Sequence, residues 1–386
     1  MSTSTGAPAS ALVPTYATYP FELSRGQGMY VRDPQGREYL DFYGGHAVAS
    51  LGHSPAEVLD AVAAQASELL FYSNVARVPV REQAARALVE FAGPTFSQVF
   101  FCNSGTEANE AALKTALALT GRGKIAALTG AFHGRTLLSL SATDGKGYRG
   151  ALEPLLVPCV RLRPNVGEDL ARVDDSVAAV IVEPIQSMAG VVALGKAYLE
   201  ALRQRTREVG AALIFDEVQT GMGRLGAPFA ASRHRAHPDM ITTAKGLGGG
   251  VPVGAVIFDA ATAVQVRQGD LGSTFGGGPL ACAAALATVR ALVGRNIPGQ
   301  VARVSAVARA ALKVGPVTEV RGEGWLLGLV TAPPAKEVYE HLLSRRILTG
   351  TSADPHVLRL LPPLVAEEEH VEILRQALED WPGEGA

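Results

Sequence analysis

Short continuous apolar runs alternate with amphipathic stretches along most of the chain. Gln98–Cys102, Lys124–Gly130, Leu155–Val160, Val177–Val182, Ala211–Phe215, Met240–Ala244 and Gly254–Phe258 have strand length and little apolar–polar alternation. Runs of this kind predict strands buried on both faces. Ala56–Leu70 and Arg81–Ala92 place apolar residues three and four positions apart and predict helices, and Leu280–Leu292 reads as an alanine-rich helix. Near the start, Met29–Arg32 and Glu38–Phe42 flank the turn Asp33-Pro34-Gln35-Gly36, a hairpin pattern. Residues up to about Val13 read as a mobile polar tail.

Two of the strand runs end on chemistry. Asp216 follows Ala211–Phe215, at the carboxyl end where open α/β sheets bind ligands. Lys245 follows Met240–Ala244 and precedes a glycine cluster. A lysine amine can form a Schiff base with an aldehyde cofactor. The pyridine nitrogen of pyridoxal phosphate needs an anionic partner to stay protonated, and Asp216 can be that partner. Taken alone, Asp216 reads more readily as a turn cap and Lys245 as a solvated loop residue. A third run, Gln98–Cys102, leads into Asn103-Ser104-Gly105-Thr106-Glu107, with capping-box spacing between Ser104 and Glu107. A strand, a glycine turn and a helix start gather free N–H groups around one point, which suits a phosphate.

The chain has 386 residues, 47% hydrophobic and 19% charged, with a net charge of −2. That length supports two domains and a large core. The charge implies neither a nucleic acid nor an anionic membrane surface as partner. Only seven of the 35 basic residues are lysines, so few compete with Lys245 for an imine. Three cysteines make no disulfide framework, and no signal-peptide pattern or membrane-length apolar run is evident. A cytoplasmic location is expected, and no metal site is read from the sequence.

The stretch LIFDEVQTGMGRLG, followed by TTAKGLGGGVPVGAV, closely resembles the class III (ornithine/acetylornithine-type) aminotransferases, which use pyridoxal 5'-phosphate. The resemblance runs from about Tyr16 to beyond Pro363 and includes NSGTEANEAA, FHGRT, STFGGGP, VRGEGWLLG and LRLLPPL. It implies the α/β fold of the fold-type I PLP-transferases. That fold has a mostly parallel seven-stranded sheet sandwiched by helices, with a smaller α+β domain built from the N-terminal arm and the C-terminal part. The corresponding units would be residues 1–50 (arm), 51–284 (large cofactor-binding domain) and 285–386 (small domain).

The resemblance also assigns residues. Gly105 and Thr106 would contact the cofactor phosphate, Phe132 would stack on its ring, and Val218 would pack on the opposite face. Gln219 would bond the phenolic oxygen, and Thr274 would reach the phosphate of the neighbouring subunit, making a homodimer with shared sites. Tyr16, Arg135, Ser273 and Arg359 would contact substrate, the arginines by gripping carboxylates. The implied reaction is ping-pong amino transfer through an aldimine at Lys245. It would run from an ω-amino substrate such as N-acetylornithine to 2-oxoglutarate, giving a semialdehyde and glutamate. Two positions depart from the pattern: Gly278 in STFGGGP replaces an asparagine, and, more informatively, Met188 in EPIQSMAG stands where the family carries a glutamate that pairs with the second arginine. Met188 cannot form that ion pair, which implies altered discrimination among donors. Other donors, an aminomutase, epimerase or decarboxylase on the same fold, and a non-catalytic nucleotide pocket remain open; for the last, KGLGGGVPVG lacks the GxGxxG and P-loop spacings.

Overall fold

The buried apolar runs meet edge to edge. The computed structural model describes residues 11–234 and 236–383. Seven strands form one sheet in the order Phe96–Cys102, Gly254–Asp259, Met240–Thr243, Ala212–Asp216, Val177–Val182, Lys124–Leu128, Cys159–Leu162. All neighbours in it are parallel except Gly254–Asp259, which runs antiparallel to both of its partners. Val177–Val182 is buried at every position. Ala179 and Ile181 pack with Ala112 and Leu113 of the helix Gly105–Thr120, while Val180 and Val182 join a cluster with Leu199, Leu202 and Leu292. Alternate residues thus point to opposite helical layers, which is why these strands carry no polar alternation.

One predicted strand is displaced. Leu155–Val160 is not a strand throughout: Gly150–Leu155 forms a 3-10 turn and the strand is Cys159–Leu162. Pro158 explains the shift. It has no N–H to give the ladder, though its carbonyl accepts from Ile125 N at 3.0 Å, so regular pairing starts one residue later.

The N-terminal hairpin pairs Tyr30–Arg32 with Glu38–Asp41, and the latter pairs in parallel with Ile347–Leu348. Arm and C-terminal part are thereby tied into one sheet. A separate antiparallel sheet orders Val317–Glu323, Leu326–Thr331, Val357–Leu360 and Gly350–Thr351. Trp325, between its first two strands, is fully buried and meets Phe42 edge-on at 6.3 Å. Among the described residues no single helix is long and apolar enough to cross a membrane. The first ten residues, which include most of the expected tail, lie outside the described residues.

Candidate active site

Register places the acid beside the lysine's strand: Asp216 pairs with Thr242, three residues before Lys245. Asp216 is buried, and its carboxylate is held from several sides. Oδ2 accepts hydrogen bonds from Asn109 Nδ2 at 2.7 Å and His133 Nδ1 at 2.8 Å, and Oδ1 accepts one from Val218 N at 3.1 Å. Asn109 is itself oriented by donating to His133 O (2.7 Å) and accepting from Thr242 Oγ1 (2.6 Å). A carboxylate has about four acceptor sites. Three are used, so one remains for an N–H in the cavity. The other ring nitrogen of His133, Nε2, is buried with no partner among the described residues.

Lys245 sits in a left-handed backbone conformation, φ +46°, a strained state that over-determined functional sites sustain. Burial pushes its amine down to about 8, and the nearby carboxylates of Asp216 and Glu183 only partly offset this. Glu183 is buried too, at the carboxyl end of Val177–Val182, and accepts Phe132 N–H at 2.9 Å. Burial raises it to about 7, with the His133 ring beside it acting in the other direction. Glu217, the neighbour of Asp216, faces away from this chemistry. It accepts from Ala230 N (2.5 Å), Ala231 N (2.9 Å) and Thr220 Oγ1 (3.1 Å), and burial raises it to about 7.

The helix Gly105–Thr120 starts at the cavity. Ser104 Oγ accepts from Glu107 N at 3.3 Å, and the Glu107 carboxylate returns to Asn103 N at 3.0 Å. The N–H groups of Gly105 and Thr106 precede the first intrahelical bonds and border the cavity, at the positive end of the helix dipole. A Cβ on Gly105 would lie 2.9 Å from both methyls of Val218, so only glycine leaves this wall intact.

These groups line one cavity of about 490 Å³, a size suited to a small cofactor and substrate. Of the expected residues, Gly105, Thr106, Phe132, Asp216, Val218, Gln219, Lys245, Tyr16 and Arg135 all border it. An anion-binding helix start, a carboxylate with one open acceptor site and an amine of lowered pKa fit a phosphorylated pyridine aldehyde. At the mouth, the exposed Arg135 guanidinium lies 5.9 Å from the Tyr16 ring centroid and 5.2 Å from that of Tyr148. Tyr148 also meets Phe132 edge-on at 5.4 Å.

Three expected residues do not border the cavity. Ser273 is near it, accepting from Asn103 Nδ2 at 3.3 Å, but lies on a different cleft; Thr274 is exposed on the same loop. Arg359 is buried on the strand Val357–Leu360, with its positive charge still felt at Lys245. Sequence reasoning missed Asn109, His133, Glu183 and Tyr148. Two signals existed: Asn109 lies one helical turn from Gly105, and Glu183 ends a strand run just as Asp216 does.

The family described as Aminotransferase class-III matches residues 13–381. The acetylornithine aminotransferase of Methanopyrus kandleri is 43% identical over 363 residues, 93% of each chain. The [LysW]-aminoadipate semialdehyde/glutamate semialdehyde transaminase of Sulfolobus acidocaldarius is 38% identical, over 95% of this chain and 97% of that one. In structure, the ornithine aminotransferase from Toxoplasma gondii ME49 superimposes with a TM-score of 0.89 at 30% identity, covering 96% of this chain and 91% of the other.

Proposed function

This chain belongs to the class III aminotransferases and uses pyridoxal phosphate, and from that premise we propose that it transfers the amino group of an ω-amino acid, N-acetylornithine or an ornithine-like donor, to 2-oxoglutarate. The carrying observation is the convergence of the Asn109–His133–Asp216 network, Lys245 of lowered pKa and the carboxylate-binding Arg135 on one cavity.

Bound there, pyridoxal phosphate supplies an aldehyde for the donor amine and a ring that accepts electrons from the substrate's C–H bond. Gly105 and Thr106 would hold its phosphate, Phe132 and Val218 its ring faces, Gln219 its phenolic oxygen and Lys245 its aldehyde carbon. Asp216 would keep a proton on the ring nitrogen, with Asn109 and His133 fixing the carboxylate for that task. Lys245 Nζ, with a pKa near neutrality, is neutral often enough to take and return the proton on the amine-bearing carbon. Arg135, steadied between Tyr16 and Tyr148, binds the carboxylate at the substrate's far end.

The proposal extends to a homodimer. Asn74 Nδ2 donates to Ser273 O (3.0 Å) and Gly276 O (2.9 Å), fastening two loops that expose Val75 and Phe275. Such a patch suits association with a second copy, which would carry Thr274 to the partner's phosphate. We assign residues 51–284 to the large domain, with 1–50 and 285–386 forming the small one. The free thiols of Cys102, Cys159 and Cys282 fit a reducing, cytoplasmic setting. One observation favours a different donor, an α-amino acid: Arg359 has no carboxylate partner among the described residues. A panel of ω- and α-amino donors with 2-oxoglutarate, scored for glutamate, tests the assignment. Glutamate formed only from α-amino donors, or not at all, overturns it.

A further inference from the structure

Arg359 is 3% exposed and forms no ion pair among the described residues. Its polar contacts are neutral. Nε donates to Thr351 O at 2.6 Å, Nη1 to Ser187 Oγ at 3.0 Å and Nη2 to Tyr43 OH at 3.0 Å, with the Tyr43 ring 5.6 Å from the guanidinium carbon. Three of five N–H groups are thus occupied. A bidentate carboxylate would use a terminal nitrogen that Tyr43 now shares.

Tyr43 is held in turn. A hydroxyl that accepts from Arg359 has one proton to give, and its other neighbour is His46 Nδ1 at 2.9 Å. His46 therefore presents a lone pair there. It does so from an unusual backbone: Gly44, Gly45, His46 and Ala47 all have positive φ, 57°, 56°, 65° and 67°. Two of these are not glycine, so the turn is strained and needs external support. Asp41 Oδ1 gives it, accepting from Tyr43 N at 2.7 Å and Gly44 N at 2.9 Å. The Tyr43 ring lies against Gly350, where a Cβ would come within 2.1 Å of it.

We infer that Tyr43 and His46 form an uncharged latch on Arg359, and that this latch sets the enzyme's preference between substrates with one carboxylate and those with two. The inference rests on the reading of Arg359 as the second carboxylate site. A diacid engages Arg135 and brings its second carboxylate to Nη1 and Nη2, each of which keeps one N–H, in competition with the Tyr43 hydroxyl at Nη2. A monoacid is satisfied by exposed Arg135 and leaves the latch closed. Because the latch is a hydrogen bond to an uncharged acceptor and not an ion pair, it opens at less cost than an ion pair would.

Binding of glutarate and butyrate to the holoenzyme, measured by calorimetry, tests this. Neither has an amine, an aldehyde or a ketone to react. Tyr43→Phe keeps the ring on Gly350 and removes only the hydroxyl, so glutarate should tighten roughly tenfold or more, the range of one net hydrogen bond to a charged group, with butyrate unchanged. His46→Ala should act in the same direction, less strongly. The double variant should do no more than Tyr43→Phe, because both act through one hydroxyl. Unchanged or weaker glutarate binding in Tyr43→Phe, an equal change for butyrate, or additive effects in the double variant would overturn the latch. These ligands are not turned over, so failure of the wild-type enzyme to make glutamate counts against the proposed reaction alone.

Discussion

Asp216→Asn is nearly isosteric, and its consequences follow from the three donors around the carboxylate. Asn109 Nδ2 and His133 Nδ1 both point at Oδ2, and Val218 N at Oδ1. An asparagine has one oxygen and one NH2 group. With its oxygen toward Asn109 and His133, its NH2 faces the N–H of Val218. The opposite orientation sets an NH2 against two donors. The first arrangement wins, losing one hydrogen bond and leaving one buried N–H unsatisfied, at a cost of about 1–3 kcal/mol. The functional loss is larger, because the negative charge that keeps the ring nitrogen protonated is gone. Removing a preorganised electrostatic partner typically costs about 10²–10³-fold in rate. The assay is the donor half-reaction followed by the cofactor's absorbance, in protein with its cofactor content quantified separately. Urea unfolding gives the stability term. A half-reaction within threefold of wild type at full cofactor content would refute the role assigned to Asp216. His133→Ala leaves the charge and removes one donor, so a loss of about tenfold is expected.

Reductive trapping should label Lys245, and Lys245→Ala should abolish both the label and the band near about 420 nm; mass analysis locating the label elsewhere rejects the assignment. Glu183 should carry a pH signature. Its folded pKa of about 7 exceeds the ordinary 4.5, so the folded chain holds a proton that the unfolded chain has lost between those values. Its contribution to stability is full below 4.5 and falls as pH rises through 7, by about 3 kcal/mol in all. Glu183→Gln should flatten that part of the profile of urea midpoints between pH 4.5 and 8; an unchanged slope counts against it. Met188→Glu introduces an acid next to Ser187, whose hydroxyl already meets Arg359. It should raise the preference for ω-amino over α-amino donors, and an unchanged ratio of the two half-reactions would reject the role given to this position.

Asp216 and Lys245 were legible because each stands just past a strand run, and a run that must be buried on both faces leaves its end as the place for chemistry. Gly105 and Thr106 were legible for a similar local reason, the strand–glycine–helix junction. What surrounds them was not. Asn109 and His133 reach Asp216 across 107 and 83 positions, and a helix face or a loop histidine looks the same in sequence whether or not such a partner waits. Glu183 obeyed the rule that picked out Asp216, yet its acidity depends on burial beneath Phe132 and His133, which only packing brings there. Tyr43 is the harder case. Its position just past the run Glu38–Phe42 says nothing of Arg359, 316 positions away. Only the paired glycines that follow it hint at a left-handed turn, and no periodicity shows that His46 continues that turn and meets the tyrosine hydroxyl. Pattern therefore reports what one element decides alone. The cluster in which Tyr43 and Ser187 hold the buried Arg359 exists only once three distant segments have met.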